Sequence, residues 1–249
     1  MDINKYSNQM GLQVIVHEVA SVSPDMDLSV LLPSGNIDLD QLTLELKTWM
    51  RRIQHPGLEK LVHTILSGDT LTRFLRNPAG TRLHHAYVGG LLHHTVSMTK
   101  LAAAMGSTIG DVDMDLIIAG ALLHDVGKIR EISGEIGFPY TTEGRLMGHI
   151  SIGAMAVDRA ARKIPEISPE LRQKLLHILL SHHGDQEKGS PVPCATKEAF
   201  IVHYADEVDS VMNQFHQKDA RTAGSSTKCY SGICTKLDGN RYLWYSVLM

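Results

Sequence analysis

At 249 residues the chain is long enough to bury a sizeable core as one domain, with room for a small appendage. A formal charge of −3 and a pI near 6.5 exclude a strongly basic nucleic-acid binder, although a local basic patch is compatible with both. Aromatic residues are only 5% and β-branched alternation is sparse, so the composition leans to all-α.

No charged leader followed by an apolar stretch opens the chain, and no run reaches about 18 apolar residues, so a cytoplasmic protein without membrane contact is expected. Cys194, Cys229 and Cys234 have no framework spacing, which fits a reducing compartment. Residues 1–37 differ in character from the rest of the chain. Leu12 to Val19 (LQVIVHEV) reads as one strand, and a single strand cannot stand alone. It is expected to pair with another copy, making a homo-oligomer, or with residues 237–245.

Helical periodicity begins at Asp38 and places Leu42, Leu46, Trp49, Met50 and Ile53 on one face, stopping before Pro56. Two short helices come next, Leu58 to Leu66 and about Asp69 to Leu75, then a turn at Asn77-Pro78-Ala79-Gly80. Residues 82–105 read as one helix. On it His94 shares a face with Tyr87, Leu91, Met98, Leu101 and Met105, whereas His93 falls with Ser97 and Lys100 and is expected in solvent. Gly89-Gly90 inside that helix would cost roughly 1 kcal/mol per glycine, which points to close approach of a backbone or ligand.

Leu116 to Leu123 is an uncharged apolar run preceded by Asp111, Asp113 and Asp115, so a buried helix is expected there, with His124 and Asp125 on its last turn and Gly127 ending it. Residues 129–148 hold several glycines and read as a long loop. His149 opens a helix to about Lys163, and Pro169 to His182 forms another whose end is Ser181-His182-His183-Gly184. The last clear helix runs from Thr196 to about Gln217. Asp206 emerges from its apolar first half and is expected inside, Glu207 and Asp209 less so. No repeat or linker divides 38–217, which is expected to be one helical domain, with 218–249 a tail.

An isolated His-Asp pair is most often a satisfied core hydrogen bond. Most of the 14 histidines, however, fall between His84 and His216, several in apolar surroundings, and a metal supplies a common reason to bury them. Helical bundles build internal metal sites from residues on facing helices. His94, His124, Asp125 and Asp206 would make one site; His149, His182 and His183, with Asp125 bridging, would make a second. Imidazole with carboxylate suits Mn²⁺, Fe²⁺, Co²⁺ or Zn²⁺, and two such ions can activate water against a phosphoryl group. Asp125 and Lys128 are the catalytic candidates. Arg82, His85 and Lys128 are candidates for phosphate contact.

His94, the HDVGK run and Asp206 resemble the HD superfamily of metal-dependent phosphohydrolases, and His149 with His182-His183 resembles its binuclear members. More closely, HHAYVGGLLHHT, ALLHDVGKI, YTTEGRLMGHI, HHG and HYADEVD look like the bacterial 3′→5′ exoribonucleases that join an OB-fold to an HD domain. The resemblance runs from about Leu28 to Gln217. It implies an all-α HD-domain bundle, two divalent ions, and release of nucleoside monophosphates from single-stranded RNA. Residues 1–37 correspond to a remnant of the OB barrel, one strand's worth, so weak affinity for long RNA is expected. Trinuclear cyclic-dinucleotide phosphodiesterases of the superfamily carry a glutamate where this chain has Gly90, so no third metal is expected. Two alternatives stay open: a phosphohydrolase of mononucleotides or cyclic dinucleotides, and a non-catalytic nucleotide-binding regulator.

Overall fold

The computed structural model describes residues 2–4, 13–15, 31–81, 85–223, 233–237 and 240–243, with side chains for 31–81 and 85–215. Arg82 therefore lies outside the described residues. Residues 1–31 and 32–249 form two compact units.

In the first unit β1 (Asp2–Asn4) pairs antiparallel with β2 (Gln13–Ile15). The strand expected within Leu12–Val19 thus has a partner about ten residues upstream in its own chain. Three residues, Asp2-Ile3-Asn4, are too short to show alternation, so the sequence pattern does not reveal that partner.

The second unit is helical, as its composition implies: α1 (Leu39–Arg52), α2 (Pro56–Ile65), α3 (Gly68–Arg76), α4 (Gly90–Ile109), α5 (Met114–Leu123), α6 (Lys128–Glu131), α7 (Thr142–Ala161), α8 (Pro169–Ser181) and α9 (Lys197–Ala223). The 218–249 stretch adds a hairpin of β3 (Ile233–Leu237) and β4 (Asn240–Leu243). The intervening sequence, Asp238-Gly239, is a hairpin signal.

α5 is the axis of this unit. Leu116 to Leu123 are all buried, and α5 packs against α1, α2, α4, α8 and α9. Each such Leu or Ile contributes about 1.5–3 kcal/mol by leaving water. Asp113 caps the helix, its carboxylate accepting from Leu116 N. Asp115 accepts from the backbone N–H groups of Gln54 and His55, tying the α1–α2 turn to the start of α5.

Three local readings are corrected. The 82–105 helix begins only at Gly90: Gly89 is its N-cap with φ +79, and a Cβ on Gly90 would lie 1.8 Å from the His85 carbonyl oxygen. The two glycines therefore mark a close backbone approach at a helix start, not a penalty within it. Gly127 does not end α5, which stops at Leu123. It has a right-handed φ of −64, and a Cβ there would lie 2.0 Å from the His149 carbonyl oxygen. Its role is contact between the 124–127 turn and α7. The 129–148 loop is shorter than expected, because α6 occupies its start and α7 its end, with an Ile132–Tyr140 bridge between them.

Candidate metal centre

Four helix ends and one helix interior deliver the histidines and carboxylates. His94 is on the second turn of α4. His124 caps α5, with Asp125 in the turn after it. His182 caps α8, with His183 next. His149 comes directly after Gly148, whose φ of +68 and ψ of 153 break α7 so that His149 opens its second half. Asp206 lies inside α9. His94, His124 and His182 are 0% exposed and Asp125 2%.

Asp125 is the hub, and its two oxygens face different ways. Oδ2 lies 3.5 Å from His94 Nε2 and 3.3 Å from His124 Nε2. His94 Nε2 is in turn 3.2 Å from both His124 Nε2 and Asp206 Oδ1. Oδ1 lies 3.3 Å from His149 Nε2 and 3.7 Å from His182 Nε2. The His183 ring stands edge-on to His182, with centroids 4.3 Å apart, and 5.1 Å from that of His149. All seven expected ligands converge in this way. Ligand atoms group within 4.8 Å as His94-His124-Asp206, His124-Asp125-His182, His149-His182-His183 and, behind His94, His85-His94-Asp209.

The far nitrogen of each imidazole is held. Nδ1 of His124 bonds the Ala121 carbonyl at 2.8 Å, that of His182 the Leu179 carbonyl at 2.8 Å, and that of His183 the Lys188 carbonyl at 2.9 Å. Nδ1 of His94 meets Asp209 Oδ2 at 2.7 Å, and that of His149 meets Glu131 Oε1 at 3.1 Å. Holding Nδ1 fixes the tautomer and aims Nε2 at the common centre. Glu131 also accepts from the His149 backbone N–H at 2.9 Å.

Fit to a metal is decided by atoms that lack other partners. Asp125 Oδ1, His149 Nε2 and His182 Nε2 are buried and, among the described residues, have no hydrogen-bond partner. Buried polar atoms in that condition are costly, and three of them converging around one point is the donor set of a divalent ion. Burial pushes the His182 and His183 imidazoles down, which keeps them in the neutral form that ligates. Burial would raise Asp125, but Lys128 and His124 beside it hold the carboxyl well below the usual carboxylate range. Asp206 is also raised by burial and brought well below that range by the bond from His94. Burial lowers His94, yet Asp206 and Asp209 outweigh it and push the ring up to about 10, so an ion at Nε2 would have to displace the proton held there toward Asp206.

Lys128 Nζ sits 2.6 Å from Asp125 Oδ2, inside the centre. Burial disfavours its charge, and Asp125 more than restores it. Asn77, expected only as part of a turn, is buried and donates from Nδ2 to the carbonyls of Lys128 at 3.2 Å and Ile132 at 3.1 Å, clamping α6 in place.

His85 requires a correction. It is 1% exposed, with Nδ1 bonded to the Tyr87 hydroxyl at 2.8 Å and Nε2 to Asp209 at 2.8 Å, so both ring nitrogens are engaged inside the protein and not offered to phosphate. His93 is half-buried rather than solvated, its Nδ1 2.6 Å from the Tyr87 hydroxyl. Asp209 and Glu131 are functional residues that sequence reasoning misses. For Asp209 a signal exists: Val202, Asp206, Asp209 and Asn213 keep the 4-3-4 spacing of one helix face. For Glu131, in a four-residue helix, no periodicity is available.

Residues 91–211 match the family model for the HD domain, a stretch that holds every ligand named above. The match supports membership of the HD superfamily and, with it, metal-dependent phosphohydrolase chemistry. No solved structure matches the chain. Among the described residues no helix is long and apolar enough to cross a membrane.

Proposed function

Taking residues 91–211 as an HD domain, we propose that this protein is a two-metal phosphodiesterase that removes nucleotides from the 3′ ends of single-stranded nucleic acid. The observation that carries the reading is the division of Asp125 between two clusters, Oδ2 toward His94 and His124 and Oδ1 toward His149 and His182. His94, His124, Asp125 and Asp206 would hold one ion; Asp125, His149, His182 and His183 would hold the other. Divalent ions in such a pair lower the pKa of a bound water and polarise phosphoryl oxygens.

The chain's own residues supply the rest. Lys128 holds its ammonium proton at Nζ against Asp125 Oδ2, a fixed positive charge suited to a phosphoryl oxygen as negative charge develops there. The fixed Nδ1 bonds remove the need to reorient imidazoles when substrate enters. Support for a substrate with bases comes from the segment leading to His149. Tyr140 is 44% exposed, with the Arg145 guanidinium 5.7 Å from its ring centroid, and Leu146 and Met147 are exposed beside the kink. An aromatic face, a guanidinium and apolar surface together suit an unstacked base.

The test is product analysis on a 5′-labelled single-stranded RNA with added Mn²⁺. Stepwise shortening from the 3′ end with release of nucleoside monophosphates is expected. Internal cuts would contradict the exonuclease reading. Intact RNA with turnover of a mononucleotide or cyclic dinucleotide would move the substrate to small molecules. No turnover even of an aryl phosphodiester would leave a nucleotide-binding regulator.

A further inference from the structure

Behind the His94 side of the centre a chain of polar groups leads away from His94. His94 Nδ1 is 2.7 Å from Asp209 Oδ2, and the same oxygen is 2.8 Å from His85 Nε2. His85 Nδ1 is 2.8 Å from the Tyr87 hydroxyl, which is 2.6 Å from His93 Nδ1. Five side chains from α4, α9 and the segment before α4 are joined in one line.

The chemistry fixes the direction of each bond. A His94 that offers Nε2 to an ion carries its proton on Nδ1 and donates to Asp209. A carboxylate only accepts, so His85 donates to it from Nε2. With its one ring proton on Nε2, a neutral His85 accepts at Nδ1 from the Tyr87 hydroxyl. Tyr87, whose hydroxyl burial lifts to about 12, keeps its proton and donates to His85, while its oxygen accepts from His93.

His85 is also held in a backbone conformation that L-residues rarely adopt, with φ +46. Its N–H donates to Asn213 Oδ1 at 2.8 Å, and its carbonyl accepts from the N–H groups of Ala79 and Tyr87 at 3.1 and 2.9 Å. Gly90 packs against that carbonyl where any Cβ would collide. Such strain persists only where the surroundings over-determine it, and it gathers at functional sites.

Resting on the two-ion reading, we propose that Asp209 and His85 are positioning residues for the ion on the His94 side. Asp209 orients His94 and lends its imidazole negative charge; His85, locked by Tyr87 and Asn213, fixes Asp209. Neither touches ion or substrate. Glu131 does the corresponding work on His149 for the second ion.

The experiment measures Mn²⁺ dissociation constants by chelator competition in two backgrounds. His149→Gln isolates the ion on the His94 side, and His94→Gln isolates the other. Asp209→Asn keeps the side-chain shape and removes the charge. In the His149→Gln background it should weaken Mn²⁺ by about 10–100-fold, and in the His94→Gln background leave it within about threefold. Asp209→Glu should recover part of the loss, and His85→Gln should reproduce it in milder form. Thermal unfolding in chelator accompanies each variant, and His85→Gln carries the same comparison if Asp209→Asn does not fold. Unchanged affinity in the His149→Gln background, or equal weakening in both, would overturn the proposal. A wild-type chain that takes one Mn²⁺ refutes the two-ion reading instead, and the effect of Asp209→Asn on that single ion then decides the role of Asp209.

Discussion

The two halves of the metal centre share Asp125 but reach electrical balance differently. On the His94 side, Lys128 lies against Asp125 Oδ2, and His94 sits between Asp206 and Asp209, so cationic and anionic groups are already in contact with one another. On the other side, Asp125 Oδ1 faces His149 Nε2 and His182 Nε2 with no hydrogen-bond partner for any of the three among the described residues. The first half can fold around its own ion pairs. The second leaves a carboxylate oxygen and two imidazole nitrogens that an added cation would satisfy. A protein interior tolerates the second arrangement when the fold is finished by a ligand.

Removing what the halves share has the largest expected effect. Asp125→Asn should abolish hydrolysis of an aryl phosphodiester, measured with saturating Mn²⁺, because it removes the one carboxylate that both halves share. Next comes the contact that brings the halves together. Gly127→Ala would drive a Cβ into the His149 backbone, and overpacking of this kind costs about 1–3 kcal/mol. The measurement is urea unfolding with and without Mn²⁺, with loss of the Mn²⁺-dependent gain expected.

Lys128→Met acts on the balanced side. It should lower kcat for the same phosphodiester by about 100-fold while the protein keeps its ions, as removal of a charge-stabilising donor does. Loss of the ions instead would make Lys128 part of the binding site rather than of the chemistry. The smallest effect is expected at Lys188 and Glu207, a partly exposed pair 2.9 Å apart that fastens the loop whose carbonyl holds His183. Glu207→Gln should cost about 0–1 kcal/mol in thermal unfolding, since His183 is held by the Lys188 backbone and not by its ammonium.

Much of this arrangement is legible in the sequence. Helical phase alone separates His94 from His93, and the all-apolar run before His124 announces a buried helix carrying an ionisable pair. The seven candidate ligands can be picked out because most lie at or near the end of a strongly periodic helix. What the sequence hides is the backing of the site. His85 reads as a phosphate contact because a histidine in a short irregular segment gives no phase, and only packing against Gly90 and Asn213 turns it inward. Glu131 lies in a helix too short for periodicity. Gly127 looks like a helix stop, because a glycine needed for close approach and a glycine needed for left-handed φ are the same letter.

A bridge from Asp125 to two ions is read by elemental analysis. Protein loaded with Mn²⁺ and freed of excess metal should hold two ions per chain, and Asp125→Ala, treated alike and shown to be folded, should lose most of both. One ion in the wild type, or full retention in Asp125→Ala, would contradict it.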